Sequence, residues 1–258
     1  MPEPRIVSLV PSITELLCDL DLADRLVGRT GFCIHPWETV KRIPKVGGTK
    51  DIKLDRIREL EPTHVVVNVD ENRKEDAEAL ADFVPDVVVT HPRAPRDNLA
   101  LYRQMGETFH REREAEELCE RFEVAYARAA ASAGPERDVL YLIWRDPWMT
   151  VSPDTYISQT LALFNWRTVP ATQPHVLSNP VGDRGQGVRY PEVDPADLAG
   201  EVDHVLLSSE PFHFKQPHIE ELSTLVPGAR VTLIDGEMTS WYGSRAIAGL
   251  DYLAGFTA

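Results

Sequence analysis

Ile6-Val7-Ser8-Leu9-Val10-Pro11-Ser12-Ile13-Thr14-Glu15-Leu16 reads as a buried strand turning directly into a helix, and that reading decides the fold class. Ile6 to Val10 is a short apolar run, as a parallel strand covered on both faces requires. Pro11-Ser12 stops it. Ser12-Ile13-Thr14-Glu15 fits a capping box, with Ser12 as N-cap and Glu15 reaching back from the third helical position. The helix is expected to run to about Leu20.

The same alternation continues downstream. Arg25 to Arg29 is a second expected strand, His64-Val65-Val66-Val67 a third and Asp86-Val87-Val88-Val89-Thr90 a fourth. Helical spacing of Leu54, Ile57 and Leu60, and a helical stretch from Glu75 to Phe83, separate them. Strands alternating with helices imply a mainly parallel sheet flanked by helices. From Asp97 the pattern changes to two successive apolar stripes, the first marked by Leu99, Tyr102, Met105 and Phe109. Leu118, Phe122, Ala125 and Ala129 mark the second, a helix from about Glu112 to Ala133 that spans roughly 33 Å at ~1.5 Å per residue. Alternation then resumes, with strands over Asp138–Trp144, Asp203–Leu207 and Ala229–Ile234 and helices over Asp154–Phe164 and Ser244–Phe256. Leu54 to Asn68 and Asp194 to Ser208 echo one another as helix, turn and strand, the second opened by Asp194-Pro195. The expectation is an α/β chain of two lobes, residues 1–111 and 134–258, joined by one backbone helix over 112–133.

Ligands bind beyond the carboxyl ends of strands in open parallel sheets. The residues at those positions are aromatic: Phe32, His35 and Trp37 in the first lobe, then Trp144-Arg145-Asp146-Pro147-Trp148, Phe212-His213-Phe214 and Trp241-Tyr242 in the second. Aromatic residues are only 8% of the chain, yet four of the five tryptophans fall in these loops. Such faces suit a wide, flat ligand in a cleft between the lobes. Arg145 and Arg245 are placed to reach carboxylate or phosphate. For any one aromatic, the competing reading is a lid on the core.

Metal and enzyme signatures are thin. His35 and Cys33 stand two apart and are candidates for ligating a metal; a backbone-bonded histidine and a packed thiol are the alternative. His64 and His204 read as structural, while His91, His110, His175, His213 and His218 lack the spacing of a zinc site. Ser12 is outside any Gly-x-Ser-x-Gly elbow, Val46-Gly47-Gly48-Thr49-Lys50 lacks the full phosphate-loop pattern, and Asp235-Gly236-Glu237 reads as a turn.

The 258 residues are 43% hydrophobic, and 41 acidic against 27 basic side chains leave a formal charge of −14. That surface repels nucleic acid and anionic headgroups. No stretch approaches the ~20 apolar residues of a transmembrane segment. Met1-Pro2-Glu3-Pro4-Arg5 has no basic n-region or h-region, so the expected compartment is cytoplasmic as written, and periplasmic or extracytoplasmic if a leader was removed. Cys18, Cys33 and Cys119 form no disulfide framework, and Cys18 and Cys119 read as buried, inert thiols.

Those residues resemble the class III, helical-backbone substrate-binding proteins of ABC importers. The opening strand followed by Pro11-Ser12-Ile13-Thr14-Glu15-Leu16 is similar to the family's, as are Leu26-Val27-Gly28, the aromatic loop Phe32 to Pro36, Val46-Gly47, Leu54 to Ile57 and Pro62 to Val66. Trp144 to Val151, Tyr156 opening a helix, and the Glu237 to Arg245 loop carry the likeness into the second half. Asp21 stands where the family has Gly. The resemblance, nearest to the cobalamin-binding members, implies a non-enzymatic protein with no catalytic cofactor. It implies capture of a metal chelate in the interlobe cleft, cobalamin first and haem or a ferric siderophore next. It further implies docking on an ABC permease through one carboxylate per lobe, Asp55 and, near Ala196, Asp197 or Glu192. Two other readings stand beside it: a cytosolic corrinoid carrier or sensor, and an enzyme using the cleft.

Overall fold

The computed structural model describes residues 3–171 and 189–258. The chain divides into two compact units. The first comprises Met1–Pro92, Arg96–Phe122 and Tyr242–Arg245, and the second Arg93–Pro95, Glu123–Trp241 and Ala246–Ala258.

The first unit is built on β1 (Ile6–Ser8), α1 (Pro11–Asp19), β2 (Leu26–Arg29), α2 (Trp37–Val40), α3 (Leu54–Glu59), β3 (His64–Asn68), α4 (Lys74–Ala81), β4 (Asp86–Thr90) and α5 (Asp97–Phe109). Its four strands run parallel in the order β2-β1-β3-β4. Ile6, Val7, Val65, Val66 and Val67 are sealed from solvent, which is why the central strands read as unbroken apolar runs. α1 starts differently from the expected capping box. Val10 is the N-cap and Pro11 takes the first helical position, where its missing N–H costs nothing. Glu15 is unavailable for capping because Arg245 Nε and Nη2 each donate to its carboxylate at 2.7 Å. After α1 the backbone passes through Asp21 at φ 56°, a left-handed conformation that Asp tolerates.

α6 (Glu112–Ala131) carries residues of both units. Ala115, Leu118, Cys119, Phe122, Ala125 and Ala129 form its buried stripe, the three- and four-residue spacing of one helix face. The break before it falls at His110, left-handed at φ 57°.

The second unit adds β5 (Arg137–Trp144), β6 (Met149–Thr150), α7 (Tyr156–Ala162), β7 (Trp166–Thr168), β8 (His204–Ser208), α8 (Gln216–Leu225), β9 (Arg230–Ile234), α9 (Gly236–Ser240) and α10 (Arg245–Phe256). Its sheet has the order β6-β5-β8-β9, with β7 also beside β5. All pairs are parallel except β5–β6. Leu140, Leu142, Val205 and Leu207 form its core with Phe214, Leu222 and Val226. The helix expected from Asp194 is only a 3₁₀ turn over Pro195–Leu198. Asp194 caps it as read, accepting from the Ala196 N–H at 3.0 Å, but the backbone turns to φ 84° at Gly200, which ends helical geometry. The fold is α/β, with mainly parallel sheets flanked by helices. Among the described residues no helix is long and apolar enough to cross a membrane.

Candidate functional site

In the first unit the loop after β2 separates its side chains into two layers. Thr30, Cys33 and Val40 are fully buried, while Phe32 is 62% and Trp37 52% exposed, with Ile34 beside them. The sequence placed Phe32 and Trp37 at a strand-end rim, and both stand there open to solvent. Ile34 escaped notice because a single aliphatic in a loop carries no pattern. His35 is half-buried. Cys33 is a packed thiol, 3.1 Å from the Thr30 hydroxyl and 3.8 Å from the Ser8 carbonyl oxygen, and burial pushes its pKa up. Burial likewise lifts the Cys18 thiol to about 12. Among the described residues no group of three or more His, Cys, Asp or Glu is arranged to hold a metal ion; His175 lies outside them.

Beyond β3 the rim is polar. Asn68 Oδ1 accepts from the Asp70 and Glu71 N–H groups, Asn72 donates to the Thr49 carbonyl at 3.0 Å, and Lys50 Nζ donates to the Asp70 carbonyl at 2.8 Å. Tyr242, expected to face a ligand, is only 7% exposed and donates its hydroxyl to Glu71. Burial and the Glu71 charge hold its phenol well above the usual range, so it stays a neutral donor. Asn98 and Tyr102 clamp Gly243, at 2.7 and 2.9 Å. The Tyr242–Arg245 stretch is thus built into the first unit by Glu71, Asn98, Tyr102 and Glu15.

In the second unit the strand ends do gather aromatics. Trp144, 40% exposed, meets Phe212 edge-on at 5.7 Å. Phe212 lies 4.7 Å from Phe214, which stacks on Trp148 at 6.1 Å. Such pairs add to simple area burial. Arg145 lies over the Trp148 ring at 5.3 Å and is claimed by Glu221 and Asp146, at 2.8 and 2.6 Å. It is therefore an internally neutralised side chain rather than an open anion hook. Trp241 is 8% exposed, and its Nε1 donates to Glu210 at 2.7 Å. Burial raises the Glu210 carboxyl above its ordinary range, opposed by the Ser240 and Trp241 donors. Glu210 was not singled out from sequence; its place directly after β8 was the available signal. Asp235 caps α9 by accepting from the Met238 N–H at 3.1 Å. A cavity of about 600 Å³ in this unit lies elsewhere, against the starts of β5 and β7 around Arg137, Asp138 and Arg167.

The model of the periplasmic binding proteins matches residues 6–182. The chain belongs to the periplasmic binding protein family. Solved structures extend the likeness over the whole chain of this binding protein. The haem-binding protein RhuT of Roseiflexus sp. RS-1, in apo form, is 21% identical with a TM-score of 0.80, covering 99% of this chain and 98% of that one. The vitamin B12 binding protein BtuF of Vibrio cholerae is 14% identical with a TM-score of 0.78, over 99% and 97%. The haem-binding protein HutB of the same organism is 18% identical with a TM-score of 0.78, over 98% of each chain. At these identities they establish the fold. The expected resemblance to the class III, helical-backbone branch holds. Comparison with curated proteins finds no sequence match.

Proposed function

We propose that this binding protein is a non-enzymatic receptor for a metal chelate, a corrinoid first and haem or a ferric siderophore next, serving ABC-type import outside the cytoplasm. The observation that carries this reading is the set of aromatic side chains at the carboxyl-end rims of both sheets: Phe32 and Trp37 in one unit, Trp144, Trp148 and Phe212 in the other. Burying ~150–250 Å² per ring provides several kcal/mol with few directional demands. His35 stands in the first rim as a further contact. Trp241, Tyr242, Arg145 and Arg245 act behind the rims, through Glu210, Glu71, Glu221 and Glu15.

Charge supports a corrinoid before haem. Both arginines suited to a ligand carboxylate are already paired with glutamates, while Asp70, Glu71, Asp146, Glu210 and Asp235 follow the strands. An amide-bearing periphery meets less repulsion there than one bearing carboxylates. Asp55, whose side chain is almost fully exposed on α3, and the exposed Asp197 are the proposed contacts for basic permease loops. Isothermal titration with dicyanocobinamide, haemin and a ferric siderophore tests the reading. Cobinamide binding at least about tenfold tighter than haemin is expected. The reverse order overturns the ligand preference, and no heat with any of the three overturns the function.

A further inference from the structure

Arg29, the last residue of β2, is 1% exposed. Among the described residues it has no carboxylate partner. Its guanidinium is instead spent on three backbone carbonyls: Nε donates to Val40 at 2.7 Å, and Nη1 to Thr30 at 3.1 Å and Cys33 at 3.0 Å. A buried charge without a counter-ion is costly, and these charge-assisted bonds are the compensation that geometry offers. The identity of the acceptors is informative. Thr30, Cys33 and Val40 are the residues that form the inner layer of the rim loop, and between them stand the exposed Phe32, Ile34 and Trp37.

We infer that Arg29 is the positioning residue of the ligand-contacting loop, a buried cation that gathers the inner carbonyls of residues 30–40 and so presents Phe32 and Trp37 outward. The inference rests on the proposed receptor role for those two rings. Three carbonyls converging from separate turns need the planar, forked donor set of arginine; a lysine ammonium at the same place is a point charge on a different stem and cannot match that geometry. Other bonds in the loop run from Gly31 to the Gly47 carbonyl at 2.8 Å, from the Phe32 N–H to the Thr30 hydroxyl at 3.3 Å, and from Thr39 and Val40 to the Pro36 carbonyl. The last two are local to α2; Cys33 also reaches the sheet through its thiol, 3.8 Å from the Ser8 carbonyl, and the bonds from Arg29 tie both its carbonyl and the end of α2 to β2.

The test is amide hydrogen exchange by mass spectrometry, paired with dicyanocobinamide titration, on the full chain and on Arg29→Met and Arg29→Lys. In Arg29→Met, exchange in the peptide spanning residues 30–40 should rise about tenfold or more while that of His64–Asn68 stays at the wild-type rate. Cobinamide affinity should fall about tenfold or more. Methylguanidinium in the buffer should restore part of the loop's protection. Arg29→Lys should fall between the two and carries both readouts if Arg29→Met does not fold. Unchanged exchange over 30–40, or loss of protection spread evenly over the first unit, overturns the inference. So does wild-type affinity in the variants. A wild-type chain that binds no chelate overturns the receptor reading alone, because the exchange measurement still decides what Arg29 does to the loop.

Discussion

Arg245 and Glu15 stand 230 positions apart, yet they form a bidentate pair whose side chains are only 13% and 18% exposed. Removing one member leaves the other charge largely buried. Arg245→Met is expected to cost about 3 kcal/mol in chemical denaturation. Arg245→Met with Glu15→Leu should recover most of that loss, since the stranded charge is gone. Glu210 makes a prediction about pH. Burial raises its pKa in the fold above the ordinary 4.5, so the folded state binds more protons than the unfolded chain between those two values. Stability attributable to this group therefore falls as pH rises through that window. Glu210→Gln keeps an oxygen for Ser240 and Trp241 without the charge. Its stability relative to wild type should grow as pH rises from 4.5 and level off once the folded-state Glu210 carboxyl is ionised, as read by urea midpoints. A constant difference across that range would contradict the assignment.

The elements differ in how openly the sequence announces them. β3, β5 and β8 centre on runs of apolar residues, and α6 is a 20-residue helix whose buried stripe repeats at helical spacing. These were readable because burial on both faces, or on one helical face, imposes a pattern long enough to see. β6 and β7 span two and three residues, and α9 five, too few for any period to emerge. α1 shows a different limit. Its capping box is a local motif, but the partner that takes Glu15 lies near the other end of the chain, where no local motif reaches. Packing at α5 and α6 offers a test at this scale. A methyl group on Gly106 would meet the Ala115 Cβ at 2.7 Å. Helix propensity favours Gly106→Ala by up to about 1 kcal/mol, and overpacking opposes it by about 1–3 kcal/mol. A lower thermal midpoint is therefore expected, and Gly106→Ala with Ala115→Gly should recover part of it.

At the scale of the molecule, the family and its α/β fold were legible from the N-terminal block, and the aromatic rims in part. Phe32, Trp37 and Trp144 are exposed at strand ends, and Trp148 and Phe212 join one ring cluster. Trp241 and Tyr242 carried the same signal yet are buried against Glu210 and Glu71, because composition cannot tell a ring that lines a surface from one that seals a core. The arginines show a related limit: sequence shows a cation, whereas the glutamate it pairs with is set by tertiary structure. With a net charge of −14, the chain repels anionic ligands at long range, and that repulsion is screened beyond about 8 Å in physiological salt. On the proposed function, what remains decisive is contact with the rims. Titration of dicyanocobinamide into wild-type protein, Phe32→Ala and Trp37→Ala, followed by tryptophan fluorescence, tests this most directly. Saturable quenching in the wild type, with affinity about tenfold weaker in each variant at an unchanged melting temperature, is the predicted result. Equal affinity in all three proteins, or no quenching in any, would contradict it.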